Sequence, residues 1–187
     1  PTWLRFGGLD FGKSNPNAIL CIAQDPETKT FYVYREFYQS ETLLKTLSIF
    51  LHNQDLSYVL ADTQAAQNIM ELNKFYGNRN VKPADKNKDT GIARIRGLLA
   101  EKRLKFFRGR CEKILEEMLE YHYAPLDSDG FNNDKTVDKN NHCVDALRYA
   151  FSRPMQGLYT NFQGAARGKK KKRISERALI IDDVTGY

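Results

Sequence analysis

The sequence predicts a mixed α/β domain whose sheet begins antiparallel and continues parallel, with helices on both faces. Three observations carry this. Three apolar segments joined by short turns open the chain. Past residue 40 the apolar spacing changes from alternating to helical. From there short apolar strands and helices alternate to about residue 153, the layout of a sheet covered by helices.

Leu4–Asp10 (LRFGGLD) and Asn17–Gln24 (NAILCIAQ) read as the first two strands, and residues 31–38 (FYVYREFY), aromatic and β-branched, as the third. Asp25-Pro26-Glu27-Thr28 reads as the turn between the second and third. A helix is expected to open at Ser40-Glu41, with Leu43, Leu44, Leu47, Phe50 and Leu51 on its apolar face. Residues 57–62 (SYVLAD) form a short buried strand. Residues 65–76 form a helix with Ile69, Met70, Leu72 and Phe75, closed by Gly77. Residues 81–84 are strand-like, 88–102 a basic helix, and 104–107 (LKFF) a further strand. Residues 111–123 are expected as an acidic helix with Ile114, Leu115, Met118 and Leu119, and 124–139 as a polar loop. Residues 141–153 (NHCVDALRYAFSR) form the last helix, stopped by Pro154. The domain is therefore expected over 1–153. Residues 154–187, with KKKKR at 169–173 and ALIID at 178–182, are expected as a basic tail.

With 187 residues, 41% hydrophobic and 12% aromatic, the chain can bury a core and falls outside the disordered class. No apolar run approaches the ~18 residues of a membrane span, and no secretory signal opens the chain. It begins directly in a strand, which suits a piece of a longer protein. Cys21, Cys111 and Cys143 are scattered without metal spacing, as buried thiols in a reducing compartment would be. The net charge of +6 is unevenly placed. Residues 74–110 hold twelve Lys/Arg against three Asp/Glu, and residues 111–138 hold two against eight. A basic segment of that size suits either a phosphate backbone or a solvated helix face.

Gly7 to Ser14 (GGLDFGKS) satisfies G-x-x-x-x-G-K-S, the phosphate-binding loop of nucleotide hydrolases. Such a loop needs a helix after it, whose free N–H groups face the phosphates. Here a continuous apolar run follows and ends at Asp25-Pro26, so a hairpin bent at residues 12–16 fits better. Asp62 after SYVLA could serve as a magnesium aspartate, which keeps a nucleotide-binding protein as an alternative.

Asp10 ends one apolar strand and Asp62 another. A charge there is costly without a partner, and two such ends on one sheet edge form a natural divalent site. In the last helix, Cys143, Leu147, Ala150 and Phe151 share the face expected to pack on the sheet. His142, Asp145 and Tyr149 fall on the other side, as they also would in a plain amphipathic helix. If Asp10, Asp62 and Asp145 converge, carboxylates ~5 Å apart at an effective dielectric of ~20 repel by about 3 kcal/mol per pair. Oxygen ligands of this kind suit Mg²⁺ or Mn²⁺. Two such ions roughly 4 Å apart are a recurring arrangement for phosphodiester cleavage.

GGLDFGKSNPNAI, VLADTQ and NHCVDALRYAF, with KPADKNKDTGIARIRGLL between the last two, resemble in order and spacing the nuclease domain of the large terminase subunit of tailed bacteriophages. The resemblance spans about residues 4–153. It implies an RNase H-like fold and an endonuclease that cuts double-stranded viral DNA concatemers during packaging, with little sequence specificity. It implies Asp10, Asp62 and Asp145 as catalytic metal ligands, with His142 as a softer ligand or a group just behind them. Its partners would be DNA, an N-terminal ATPase domain absent from this chain, the portal protein and the small terminase subunit, in the host cytoplasm. Two departures stand out: Asp62 is followed by Thr63-Gln64 rather than Ser-Ala, and Asn141 replaces an acid before the histidine, for which Asp138 is a candidate substitute. Lys82, Lys86, Lys88, Arg94 and Arg96 then become candidate contacts to the DNA backbone. A resolvase- or transposase-like nuclease of the same fold is the nearest alternative, and a non-catalytic DNA- or portal-docking module another.

Overall fold

Apolar alternation that stops at a polar residue makes a strand with a sharp end, and the first two runs pair accordingly. The computed structural model describes residues 3–12, 15–78, 80–120 and 141–153. Leu4–Asp10 (β1) pairs antiparallel with Asn17–Gln24 (β2), and β2 pairs antiparallel with Phe31–Gln39 (β3). The apolar run after Gly12 is thus a strand and not a helix, so the hairpin reading of GGLDFGKS holds. Tyr58–Ala61 (β4) and Val81–Pro83 (β5) extend the sheet in parallel from β1, and Leu104–Phe106 (β6) joins β3 in parallel. The strand order is β5-β4-β1-β2-β3-β6. β2 is buried along its whole length, as a strand covered on both faces must be.

Leu44–Gln54 (α1) and Ala66–Lys74 (α2) cover one face, packing Leu47, Leu51, Ile69 and Leu72 on Leu9, Ile19, Cys21 and Val59. Lys88–Ala100 (α3), Glu112–Glu120 (α4) and His142–Ala150 (α5) cover the other. An aromatic cluster anchors that second face: Phe6 stacks on Tyr58 at 5.3 Å between ring centroids, and Phe31 meets Phe151 edge-on at 5.1 Å.

Several boundaries differ from expectation. α1 begins at Leu44 rather than at Ser40-Glu41, because Glu41 has a left-handed φ of 51° and the Thr42 hydroxyl bonds back to the carbonyls of Gln39 and Ser40. α3 stops at Ala100, two residues early, where Lys102 turns to φ 55°. In α4 Leu119 is 84% exposed while Glu117 is buried, the reverse of a simple apolar stripe. The expected loop at 124–139 and the tail at 154–187 lie outside the described residues.

The last helix departs most from the amphipathic pattern. Seven of its nine residues are buried, Tyr149 among them, because α3 and α4 flank it while it lies on β1. Only His142 and Asp145 are half-buried. Period-two alternation places Phe6, Gly8 and Asp10 on the α5 face of β1. A Cβ added at Gly8 would lie 1.8 Å from the Ala146 carbonyl oxygen. Glycine there lets the backbone of α5 approach the strand. Gly8→Ala is expected to push α5 off β1 at a cost of about 3 kcal/mol, the upper range for overpacking, measured by urea unfolding.

Candidate metal centre

β1 and β4 run parallel and finish at the same edge of the sheet. Their last paired residues are Leu9 and Ala61, and the Asp62 amide donates to the Leu9 carbonyl at 3.3 Å. Asp10 and Asp62 therefore leave the sheet side by side. Asp62 also caps the short 3₁₀ turn Thr63–Ala65, its Oδ1 accepting from the Gln64 amide at 3.0 Å. That turn is the local reason the strand stops there.

α5 brings the other two groups. His142, in its first turn, donates from Nδ1 to Asp10 Oδ2 at 2.9 Å, which leaves Nε2 as its nitrogen free to ligate. Three residues on, Asp145 Oδ1 accepts from Arg148 Nε and Nη2, both at 2.9 Å. Asp10 is 8% exposed, and its pKa is raised from 3.8 to about 6. Burial is the main cause. The His142 hydrogen bond opposes it, and the negative charges of Asp145 and Asp62 add to it. All four residues singled out in the sequence thus meet at one edge of the sheet.

They are brought together loosely. Among the described residues no three His, Cys, Asp or Glu side chains are gathered tightly enough to hold one ion, so the expected cluster of Asp10, Asp62, Asp145 and His142 is an open one. Bare carboxylates repel, and each has a protein donor to turn to: His142 for Asp10, Arg148 for Asp145, the Gln64 amide for Asp62. The donor set still fits a hard divalent cation. It offers three carboxylates, each with one oxygen committed to a protein donor, and the charges of Asp145 and Asp62 add to the burial that makes a bare charge on Asp10 costly.

The expected DNA contacts divide. β5 ends at the same edge as β4, with the Ala84 amide donating to the Ala61 carbonyl at 2.7 Å, so Lys86, exposed in the following loop, lies on the aspartate side of the sheet. Lys88 is the first residue of α3, whose N-terminus is capped by Asn87. Lys82 is half-buried on β5, and Arg96 is exposed on α3. Arg94 is used otherwise: its Nη1 donates to the Phe151 carbonyl at 2.7 Å, tying α3 to the end of α5. Asp138 lies outside the described residues.

Sequence reasoning misses Glu117. It is 2% exposed, and its Oε2 accepts from the amides of Cys143 and Val144 at 2.7 and 3.0 Å. A carboxylate of α4 thereby serves the N-terminus of α5. Glu36 of β3 does the same for α4, accepting from the Lys113 and Ile114 amides at 2.8 and 3.0 Å. Burial raises the pKa of both. The one signal in the sequence is an acid sharing a helix face with Ile114 and Met118.

Residues 10–153 match the protein family described as "Terminase RNAseH like domain". The PBSX phage terminase large subunit of Bacillus subtilis (strain 168) is 29% identical over 151 residues, covering 76% of this chain and 33% of that protein. The large terminase subunit of Escherichia phage T5 is 26% identical over 163 residues, covering 84% and 35%. The chain thus spans about a third of the length of these curated relatives. Among solved structures, the large terminase nuclease domain of bacteriophage SPP1 with bound Mn superposes with a TM-score of 0.68 at 26% identity, covering 79% of this chain and 85% of that one.

The native state holds a proton on Asp10 that the unfolded chain releases near pH 4. Stability of the metal-free protein from this group is therefore full below about pH 4 and is lost as pH rises to about 6. Asp10→Asn cannot ionise and is expected to remove that loss, leaving it more stable than the wild type at pH 7 by about 2–3 kcal/mol. Urea unfolding at pH 4–7 in a chelator checks this.

Proposed function

The chain belongs to the terminase RNase H-like domain family, and from that premise we propose that it is a divalent-metal-dependent endonuclease that cuts double-stranded DNA concatemers during genome packaging. The observation that supports this most is the meeting of Asp10, Asp62, His142 and Asp145 at the edge where two parallel strands end. A strongly negative, part-buried site is poorly suited to phosphates unless cations stand between.

Asp10, Asp62 and Asp145 would hold two Mg²⁺ or Mn²⁺ ions, with His142 beside them. Bound there, such ions would supply Lewis-acid stabilisation of the charge that builds on a phosphodiester as it is cleaved. The side chains prepare the place for that. His142 fixes the rotation of Asp10 through Nδ1. The Gln64 amide fixes Asp62, and Arg148 fixes Asp145, so three flexible carboxylates are oriented before any ligand arrives. These bonds orient each carboxylate singly, and an arriving ion would still have to draw the open cluster together.

Lys86 and Lys88, with Lys82 and Arg96 along the same segment, would hold backbone phosphates, which gives little sequence preference. The chain would act as one part of a larger machine that includes an ATPase domain, the portal protein and the small terminase subunit, within the host cytoplasm. Among the described residues no helix is long and apolar enough to cross a membrane.

Plasmid cleavage with Mn²⁺ or Mg²⁺ tests the assignment. Asp10→Ala and Asp62→Asn are each expected to lower the rate by at least about 10²-fold, the worth of several kcal/mol of charge stabilisation; cleavage that survives both would overturn it. Neutralising Lys86 and Lys88 together is expected to shallow the dependence of log affinity on log salt by about 0.9 for each phosphate no longer neutralised, measured with catalytically silent Asp10→Ala protein.

A further inference from the structure

Arg148 is 3% exposed. It pairs with a carboxylate of the acidic site, and orienting Asp145 does not by itself account for a full positive charge buried there. Its Nε and Nη2 both reach Asp145 Oδ1 at 2.9 Å, and its guanidinium carbon lies 4.4 Å from the centre of the Tyr149 ring. The fold makes room for it. A Cβ at Gly91 of α3 would lie 2.8 Å from both the Cγ and the carbonyl oxygen of Arg148, so only glycine on α3 lets this side chain lie where it does. Burying a full positive charge is costly unless it is paired, and its ion pair within the described residues is with a carboxylate that belongs to the acidic cluster.

We propose that Arg148 is a built-in counter-cation of this site: it orients Asp145, keeps the metal-free fold tolerable, and by its charge weakens divalent-ion binding. This rests on the metal-site reading above. It assigns Arg148 no contact with reacting atoms; it acts through Asp145 and is a positioning residue. The sign of the effect separates it from ordinary packing. A side chain that only shapes the pocket binds metal less well when it is removed. A competing positive charge binds metal better when it is removed, because the ion no longer meets repulsion on entering the site.

The test is Mn²⁺ binding by calorimetry, together with the Mn²⁺-induced rise in Tm, on wild type, Arg148→Lys and Arg148→Met. Arg148→Met is expected to lower the metal-free Tm and to bind Mn²⁺ at least several-fold more tightly. Arg148→Lys, which keeps the charge, is expected to bind within about twofold of the wild type. Weaker Mn²⁺ binding by both variants would overturn the proposal and leave Arg148 a packing residue. If Arg148→Met is unfolded without metal, millimolar Mn²⁺ is expected to refold it, followed by circular dichroism; failure to refold counts against the proposal. A wild type that binds no Mn²⁺ at all would instead overturn the metal-site reading.

Discussion

Everything at the acidic edge depends on how closely α5 lies on β1. The contact is backbone to backbone: the Ala146 carbonyl faces the bare Cα of Gly8, with no room for a methyl group. Because Gly8 and Asp10 point to the same face of the strand, the contact that seats the helix also sets the height of His142 above Asp10. Their 2.9 Å hydrogen bond is a consequence of a glycine two residues earlier. The aromatic cluster of Phe6, Tyr58, Phe31 and Phe151 anchors the other end of the same strand and helix. The helix is thus fixed at both ends by contacts of different kinds, one of shape and one of apolar area.

Around that contact, carboxylates act in two different ways. Glu36 and Glu117 are structural: each gives its charge to the free amides at the start of a helix, so β3 holds α4 and α4 holds α5. Asp10, Asp62 and Asp145 each commit one oxygen to a protein donor and sit where the sheet opens. The difference is one of surroundings. An acid facing amides inside the fold is stabilised by them, whereas the charges of Asp145 and Asp62 add to the cost of ionising Asp10.

Much of this was legible in the sequence. β1 and β2 matched because their apolar runs end abruptly at Asp10 and Gln24, and the hairpin followed from what comes after GGLDFGKS. Asp10, Asp62, His142 and Asp145 stood out as strand-ending acids and a polar helix pair, patterns that a turn residue or a plain amphipathic helix also gives. It was the resemblance of their motifs to a known family that joined them into one set. What was hidden depends on tertiary neighbours. Glu117 looked like one more acid of an acidic helix, and Leu119 looked like core; only the placement of α5 decides that the first is buried and the second is not. Arg94 counted as a free cation until the Phe151 carbonyl was beside it. α1 started late because the backbone at Glu41 takes a conformation that composition does not reveal.

Asp10 and His142 are 132 residues apart in the chain. A contact of that separation joins the two ends of the domain and forms only once α5 is present to dock on β1. The β1–β2 hairpin can assemble early, carrying Asp10 alone. The other half of the site arrives only when α5 has been synthesised and has docked. A chain made from its N-terminus therefore passes through every intermediate length with one half of the site missing, so any chemistry that needs the complete site is absent until α5 has docked.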